Sequence, residues 1–484
     1  MYLILTLGIL SILFSLVLTP AVRDLFLKRG LIDQPDNYRK RHEIPVPRIG
    51  GIAIAISYLA AFGVVLLMPF SYASQIRPVL SEVWKVIPAA GIVLGVGLLD
   101  DLKGLRPWHK LLGQTVAASV AYWAGVNVQL ISGHPLEPWL SFPVTVIWLV
   151  ACSNALNLID GLDGLAAGLG LVASLTILVA ALLHQNLALV VTVVPLAGSL
   201  LGFLRYNFNP ASVFLGDCGS LMIGFLLGAF GVIWSQKSAT AFGMMVPMMA
   251  IAIPLLDAFL AVSRRFLRHQ PIFTADRSHI HHRLLDMGLS PRQVVTLLYG
   301  ACCLAAAFSL LQASLQNQFS GLIVVLFAIA AFIGIRSLRY VEFGVARDMI
   351  LKGTFQKMID AQTKLTQFDA SLEAASTVPQ LWDALVAGGQ ILGFHGVRAK
   401  IHGRVMQEEF DERGDGACWQ LRIPLPKGQY INFHRDFETE LSPVVIGSLV
   451  RTVESRITEK LASLEATLEE DAESPTLAAR VGGV

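Results

Sequence analysis

The sequence predicts an α-helical polytopic membrane protein of about eleven transmembrane helices, followed by a C-terminal cytoplasmic α+β domain. Three observations predict it. Apolar residues make up 54% of the 484-residue chain and charged residues only 15%, where a soluble domain carries about 25% charge. Lys and Arg gather in alternate loops between long apolar runs. After Arg336 the composition turns charged and mixed.

Apolar runs lie near 1–20, 50–68, 86–99, 111–126, 139–153, 165–183, 187–204, 219–234, 242–262, 296–313 and 319–335. A spanning helix needs about 20 residues, so the runs at 86–99 and 139–153 must borrow flanking residues. The first run has no basic leader and no small-residue cleavage site, and reads as a retained helix. Residues 21–48 carry Arg23, Lys28, Arg29, Arg39, Lys40, Arg41 and Arg48, and residues 263–295 carry Arg264, Arg265, Arg268, Arg277, Arg283 and Arg292. Residues 127–142, 184–186 and 314–318 carry neither Lys nor Arg. The positive-inside rule then puts 21–48, 100–110, 154–164, 205–218, 263–295 and everything after 336 in the cytoplasm, with the N-terminus outside. The net charge of +2 says little by itself, and no nucleic-acid partner is expected. Five cysteines show neither metal spacing nor a disulfide framework and behave as small hydrophobes.

Five polar clusters fall in loops that charge counting alone assigns to the cytoplasm. In the first, Arg39, Lys40, Arg41 and His42 precede Pro45, Pro47 and Gly50-Gly51. Prolines stiffen the loop, and its cations suit a phosphate or anionic lipid, although a positive-inside anchor would explain the arginines alone. The second places Asp100 and Asp101 at the end of a span, where a divalent cation relieves their mutual repulsion. The third, Asn154-Ala-Leu-Asn157-Leu-Ile-Asp160-Gly-Leu-Asp163-Gly, sets polar groups three apart inside nearly pure hydrocarbon, along roughly one helical stripe. Polar groups there are expensive to desolvate, so they line a wet cavity or, for the Asn residues, a helix–helix seam. The fourth, Gly216-Asp217-Cys-Gly219-Ser220, flanks one carboxylate with glycines that let a phosphate or metal approach. The fifth, Asp276-Arg277-Ser-His279-Ile-His281-His282-Arg283, lacks zinc-finger spacing and reads as a clamp for a diphosphate or sugar, with Arg277 and Arg283 as anion partners. Asp257, alone within an apolar span, is an intramembrane carboxylate with a possible role of its own.

This ordered set, within residues 1 to about 340, resembles the polyprenyl-phosphate N-acetylhexosamine-1-phosphate transferase superfamily. The form His279-Ile-His281-His282-Arg283 is similar to the branch that uses UDP-GlcNAc and related amino sugars. The resemblance implies transfer of a HexNAc-1-phosphate from a UDP-amino sugar to undecaprenyl phosphate, releasing UMP, with Mg²⁺ (or Mn²⁺) as cofactor. It implies a bacterial inner-membrane enzyme that starts a cell-envelope polysaccharide such as an O-antigen. It makes Asp217 a metal ligand that Asn157 can join, and puts Asp100, Asp101, Asp160 and Asp163 in the catalytic set. Arg39, Lys40, His42, Asn154, Arg277, His279, His281, His282 and Arg283 are then the substrate-binding candidates. A phosphate monoester has its second pKa near about 6, so the acceptor is largely ionised at neutral pH. Asp100 is therefore expected to position and shield more than to deprotonate.

Residues 341–377 read as an amphipathic helical linker, 378–468 as an α+β domain and 469–484 as an acidic disordered tail. The helix–strand–helix order resembles a GAF-type sensory domain; a docking or oligomerisation module, pairing two copies of the chain, is the other reading. Two activities compete with the first: a phospho-MurNAc-pentapeptide transferase, disfavoured by the histidine loop, and a cation-coupled transporter. Transporter sites lie near the bilayer midplane, often between internal repeats, whereas these acids cluster at one face.

Overall fold

The computed structural model describes residues 2–29, 46–68, 70–131, 134–237, 245–267, 279–315, 319–338, 354–401, 403–410, 418–436, 446–447, 449–450 and 452–461. Arg39, Lys40, His42 and Arg277, and the tail 469–484, lie outside the described residues. The chain divides into two compact units, Met1–Arg339 and Tyr340–Val484.

Each of the eleven apolar runs is helical over most of its described residues. The first unit comprises α1 (Tyr2–Lys28), α2 (Gly50–Leu67), α3 (Phe70–Lys103), α4 (Pro107–Trp123), a two-residue ribbon of β1 (Leu130–Ile131) and β2 (His134–Pro135), α5 (Pro138–Ile159), α6 (Leu165–Leu183), α7 (Leu187–Asn207), α8 (Gly216–Lys237), α9 (Met245–Ala250), α10 (Ala252–Leu267), α11 (Ile280–Asp286), α12 (Pro291–Ser314) and α13 (Ser320–Ser337). Among the described residues, eight helices are long and apolar enough to cross a membrane. The run at 86–99 borrows its flanks within Glu82–Lys103, and that at 139–153 within Pro138–Ile159. Three runs fall short of that length. α4 has 17 residues, and α13 offers only Gly321–Ser337 as an apolar stretch. The run at 242–262 is broken at Ile251 between α9 and α10. Pro254, with no N–H, cannot donate back to Ala250 and so cannot join the two helices into one ladder.

α1 turns a row of large apolar side chains outward and mostly small ones inward. α1 buries Leu7, Ser11, Ser15 and Thr19 at four-residue intervals while Leu5, Ile9, Leu13 and Val17 stay exposed. In water this outer face would be costly; in lipid it is the solvent-facing side, and small residues make the seam. At that seam the Ser15 hydroxyl donates to Ser199 O at 2.7 Å, and Tyr206 donates to Leu16 O at 2.8 Å.

α8 is buried along its apolar length and packs against α2, α3, α5 and α6. A helix that is apolar all round belongs at the centre of a bundle, and α8 has that pattern between Asp217 and Lys237. Ser153 on α5 donates to Leu221 O at 2.8 Å, and the Trp148 indole donates to Gly228 O at 3.0 Å. The central helix thus fixes where its charged first turn sits.

The second unit has a four-stranded antiparallel sheet of β3 (Gly396–Ile401), β4 (Arg404–Glu409), β5 (Cys418–Leu425) and β6 (Gln429–Asp436), in the order β4-β3-β6-β5. Val397, Ala399, Ile423, Ile431 and Phe433 form its core with Leu385 and with Leu449, Val453 and Ile457. Helix Thr354–Ala374, read from sequence as a linker, contributes Leu365, Phe368 and Leu372 to the same core. Its apolar face is covered by the sheet unit, so these residues belong to the domain.

Candidate active site

The site assembles around the first turn of α8. Residues 46–51 run parallel to 213–215: Phe214 N donates to Pro47 O at 3.0 Å, Gly50 N to Phe214 O at 3.0 Å and Gly51 N to Leu215 O at 3.1 Å. The first and fourth sequence clusters are thereby stitched together. From the other side α3 closes on α8 at Gly97, where a side chain would strike the Asp217 carbonyl and the Cys218 backbone.

That approach delivers the Asp100-Asp101 pair. Asp101 accepts backbone N–H bonds from Asp217 and Cys218, each at 2.9 Å. It caps α8 with both oxygens, and bonds of this charge-assisted kind contribute about 1.5–3 kcal/mol each. Asp100 accepts from Leu105 N at 2.7 Å and from the Lys110 ammonium at 2.7 Å. Lys110 also reaches Asp217 at 2.6 Å, so one half-buried cation joins the two carboxylates.

The third cluster is not one helical stripe. α5 ends at Ile159, Asp160 is its C-cap, and Asp163 lies in the turn beyond. Asn154 pairs reciprocally with Gln114 of α4, the seam that was its other reading. Asn157 donates to the Ser220 hydroxyl at 3.0 Å, and its carbonyl oxygen accepts no hydrogen bond among the described residues. Asp163 accepts from the Asn209 side chain and the Ala211 backbone, both at 3.0 Å, and so anchors the loop before α8. Burial, with the charges of Asp217 and Asp101 beside it, pushes the Asp160 carboxyl well above the usual range.

The histidine cluster closes over Asp160-Gly161. His281 is buried against Gly161, where a Cβ would collide with its imidazole. Neither ring nitrogen of His281 has a hydrogen-bond partner among the described residues. Burial, together with neighbouring His282, lowers its pKa to about 3, so the ring is neutral near pH 7. His279 stacks parallel to it with centroids 5.8 Å apart, and the His282 ring is tilted against it with centroids 4.2 Å apart.

The family model "Glycosyl transferase family 4" matches residues 83–235. A Bacillus subtilis (strain 168) protein named "Probable undecaprenyl-phosphate N-acetylglucosaminyl 1-phosphate transferase" is 38% identical over 296 residues, covering 60% of this chain and 80% of the relative. The chain belongs to the polyprenyl-phosphate N-acetylhexosamine-1-phosphate transferase family. The "Decaprenyl-phosphate N-acetylglucosaminephosphotransferase" of Mycobacterium leprae is 36% identical, with coverage of 54% and 72%. The "Undecaprenyl-phosphate alpha-N-acetylglucosaminyl 1-phosphate transferase" of Escherichia coli K12 is 27% identical, with coverage of 66% and 87%.

The protein is therefore a multi-pass membrane transferase. Within its site Asp100, Asp101, Asp217, Asn157 and Asp160 converge at the start of α8, with the histidines against Gly161. Sequence reading gave no role to Lys110, the last residue of the loop 100–110, or to Ser220 of the fourth cluster, which holds Asn157. The one available signal for Lys110 was its place one turn into the helix that follows Asp100-Asp101. Arg283 closes α11, its carbonyl accepting from Met287 N at 3.0 Å.

The donor set suits a magnesium ion. Lys110 donates to one oxygen of Asp217, and the Asn157 carbonyl oxygen accepts no hydrogen bond among the described residues. Mg²⁺ takes oxygen ligands, keeps several waters and binds through one or two carboxylates plus substrate phosphates. Among the described residues no group of three or more His, Cys, Asp or Glu side chains is arranged to hold a metal ion by itself.

Proposed function

We propose that the protein transfers GlcNAc-1-phosphate from UDP-GlcNAc to undecaprenyl phosphate, releasing UMP, at the cytoplasmic face of the bacterial inner membrane. The observation that carries this reading is the Lys110 ammonium held between Asp100 and Asp217 at the capped start of α8. The names of the relatives supply the acceptor and the sugar phosphate. The charge pattern supplies the sidedness, with about eleven crossings and an external N-terminus.

An oxygen of the lipid phosphate attacks the sugar-bearing phosphorus of the donor. The new P–O bond forms as the bond to the bridging oxygen breaks, and UMP leaves with that electron pair. Both reactants are anions, so the barrier is dominated by charge. A magnesium ion, held by Asp217 with Asn157, would supply the neutralising charge between them. Lys110 adds fixed positive charge beside it. Asp100, with both oxygens engaged, holds Lys110 in place; the acceptor is already ionised, so no base is required. Asp101 orients Asp217 by fixing its backbone N–H. Asp163 fixes the loop that leads into α8. His279, His281 and His282 form the sugar and diphosphate wall over Asp160-Gly161, with Arg283 beside them. Arg39, Lys40, His42 and Arg277 are proposed as further anion contacts.

The C-terminal unit is read as a GAF-like docking or sensory module, supported by its antiparallel sheet with helices in one core. Purified protein in detergent with undecaprenyl phosphate, Mg²⁺ and a panel of UDP-sugars tests the activity. UMP release with UDP-GlcNAc is expected. Release only with UDP-MurNAc-pentapeptide would assign the peptidoglycan activity instead, and no release from any amino sugar would sink the reading.

A further inference from the structure

Asp257 has no place in the reaction above, yet it is fully buried and doubly bonded. It lies on α10, and its two oxygens face the start of α11. Oδ1 accepts the Ile280 N–H at 2.8 Å, and Oδ2 meets His279 Nδ1 at 2.9 Å. His279 is the N-cap residue of α11, but its side chain makes no capping bond to its own helix. Asp257 supplies that acceptor from 23 residues away.

We propose that Asp257 is a positioning residue for the histidine wall, fixing the proton on His279 Nδ1 and the start of the helix that carries His281, His282 and Arg283. The inference rests on the transferase reading of the site. A carboxylate only accepts, so the ring nitrogen facing it carries the proton. Whatever the charge of the ring, Nε2 is then the only nitrogen His279 can offer to a substrate. Neutral, it presents a lone pair to a hydroxyl or amide; protonated, it presents an N–H to a phosphate. The same carboxylate sets the ring plane. His279 and His281 are parallel within 6°, and His281 lies on Gly161, next to Asp160. A contact chain therefore runs from Asp257 through the two stacked rings to the acidic turn.

Asp257→Asn separates positioning from packing. The amide has nearly the same shape, and its oxygen can still accept from Ile280 N–H. Its NH₂ then faces Nδ1, which requires the His279 proton to move to Nε2. The test uses the full-length protein in detergent with ¹⁵N-labelled histidine, and the His279 signal is assigned by its loss in His279→Gln. The unsubstituted protein is expected to show a proton on Nδ1, and Asp257→Asn to show the Nε2–H form. In UMP release kcat/KM should fall about tenfold to a hundredfold, with the thermal midpoint little changed. In a His279→Ala background Asp257→Asn should cost no more than about twofold further, because the two act as one unit.

An Nδ1 without a proton in the unsubstituted protein would overturn the proposal, even if Asp257→Asn failed to fold. So would losses that multiply in the double variant. If no sugar donor gave UMP while the tautomer still switched, the transferase reading would fall and the positioning role would stand.

Discussion

Replacing Lys110 with Met keeps most of the side-chain stem and deletes the ammonium that Asp100 and Asp217 share at 2.7 and 2.6 Å. Hydrogen bonds to charged groups contribute about 1.5–3 kcal/mol each. The Lys110 side chain is 23% exposed, so solvent screening favours the lower end, about 3 kcal/mol for the pair. That gain is lost while two carboxylates are left facing each other. Asp217 is then free to turn away from the position in which Lys110 holds it. The consequence falls on the transition state, where charge between two phosphates is greatest. Removing one preorganised electrostatic contact of this kind costs about 10²–10³ in kcat. UMP release at saturating donor and acceptor, with thermal unfolding alongside, is the assay. A kcat reduced by about two orders of magnitude in a folded variant is expected. A variant within about threefold of the unsubstituted enzyme would put under ~1 kcal/mol on this cation and refute the reasoning. Lys110→Arg should fall between the two, since it keeps the charge but not the compact ammonium that fits between the acids.

Three further outcomes follow from the same geometry. Asp101→Ala leaves the Asp217 and Cys218 N–H groups without their acceptor; a loss of about 2–4 kcal/mol is expected, visible as a lower thermal midpoint, and an unchanged midpoint would mean the cap is dispensable. Gly161→Ala puts a methyl group where the His281 ring lies, with Cε1 only 2.9 Å away; overpacking of this kind costs about 1–3 kcal/mol, and donor KM should rise as the histidine wall shifts, whereas normal kinetics would show the wall is not in contact with substrate. His281, at about 3 when folded against the ordinary value of 6.5, binds a proton in the unfolded chain well before the folded one. Stability is therefore fully present above about pH 6.5 and declines as pH falls toward 3, by at most about 1.4 kcal/mol per unit from this group. Unfolding midpoints between pH 7.5 and 4.5 should fall less in His281→Gln than in the unsubstituted protein, and equal slopes would refute the assignment.

Hydropathy made the bundle legible because burial in lipid leaves a strong one-dimensional trace: the apolar runs are helical over most of their described residues, and eight of the described helices are long enough to cross a membrane. Where chain chemistry overrides hydropathy, the trace misleads. Pro254 breaks a run that reads as one span, and the stripe proposed through Asn154, Asn157, Asp160 and Asp163 stops when α5 ends at Ile159. β4 went unread because Arg404-Val-Met-Gln-Glu-Glu lies at a sheet edge with most positions exposed, so no alternation marks it. Lys110 went unread for a different reason. A basic residue beside a membrane helix is what the positive-inside rule expects anyway, and its bond to Asp217 crosses 107 residues.

The carboxylates show what the fold adds to the motifs. In sequence Asp100, Asp101, Asp160, Asp163, Asp217 and Asp257 look alike, each an acid at or near an apolar helix. Their acceptor oxygens divide them. Asp101 directs both oxygens at backbone N–H groups of α8, Asp163 accepts from Ala211 N, and Asp257 accepts from Ile280 N. Each joins two segments distant in sequence, so a substitution that removes the acceptor oxygen should register first in stability and geometry. Asp217 meets the side chains of Lys110 and Asp100, and Asp160 feels the opposite charge of Arg48 against the like charges of Asp217 and Asp101. Such acids are costly to hold in a protein interior without a cation. Lys110 offsets that cost for Asp100 and Asp217. At Asp160, one residue before the glycine on which the histidine wall rests, burial and the like charges of Asp217 and Asp101 outweigh the opposite charge of Arg48.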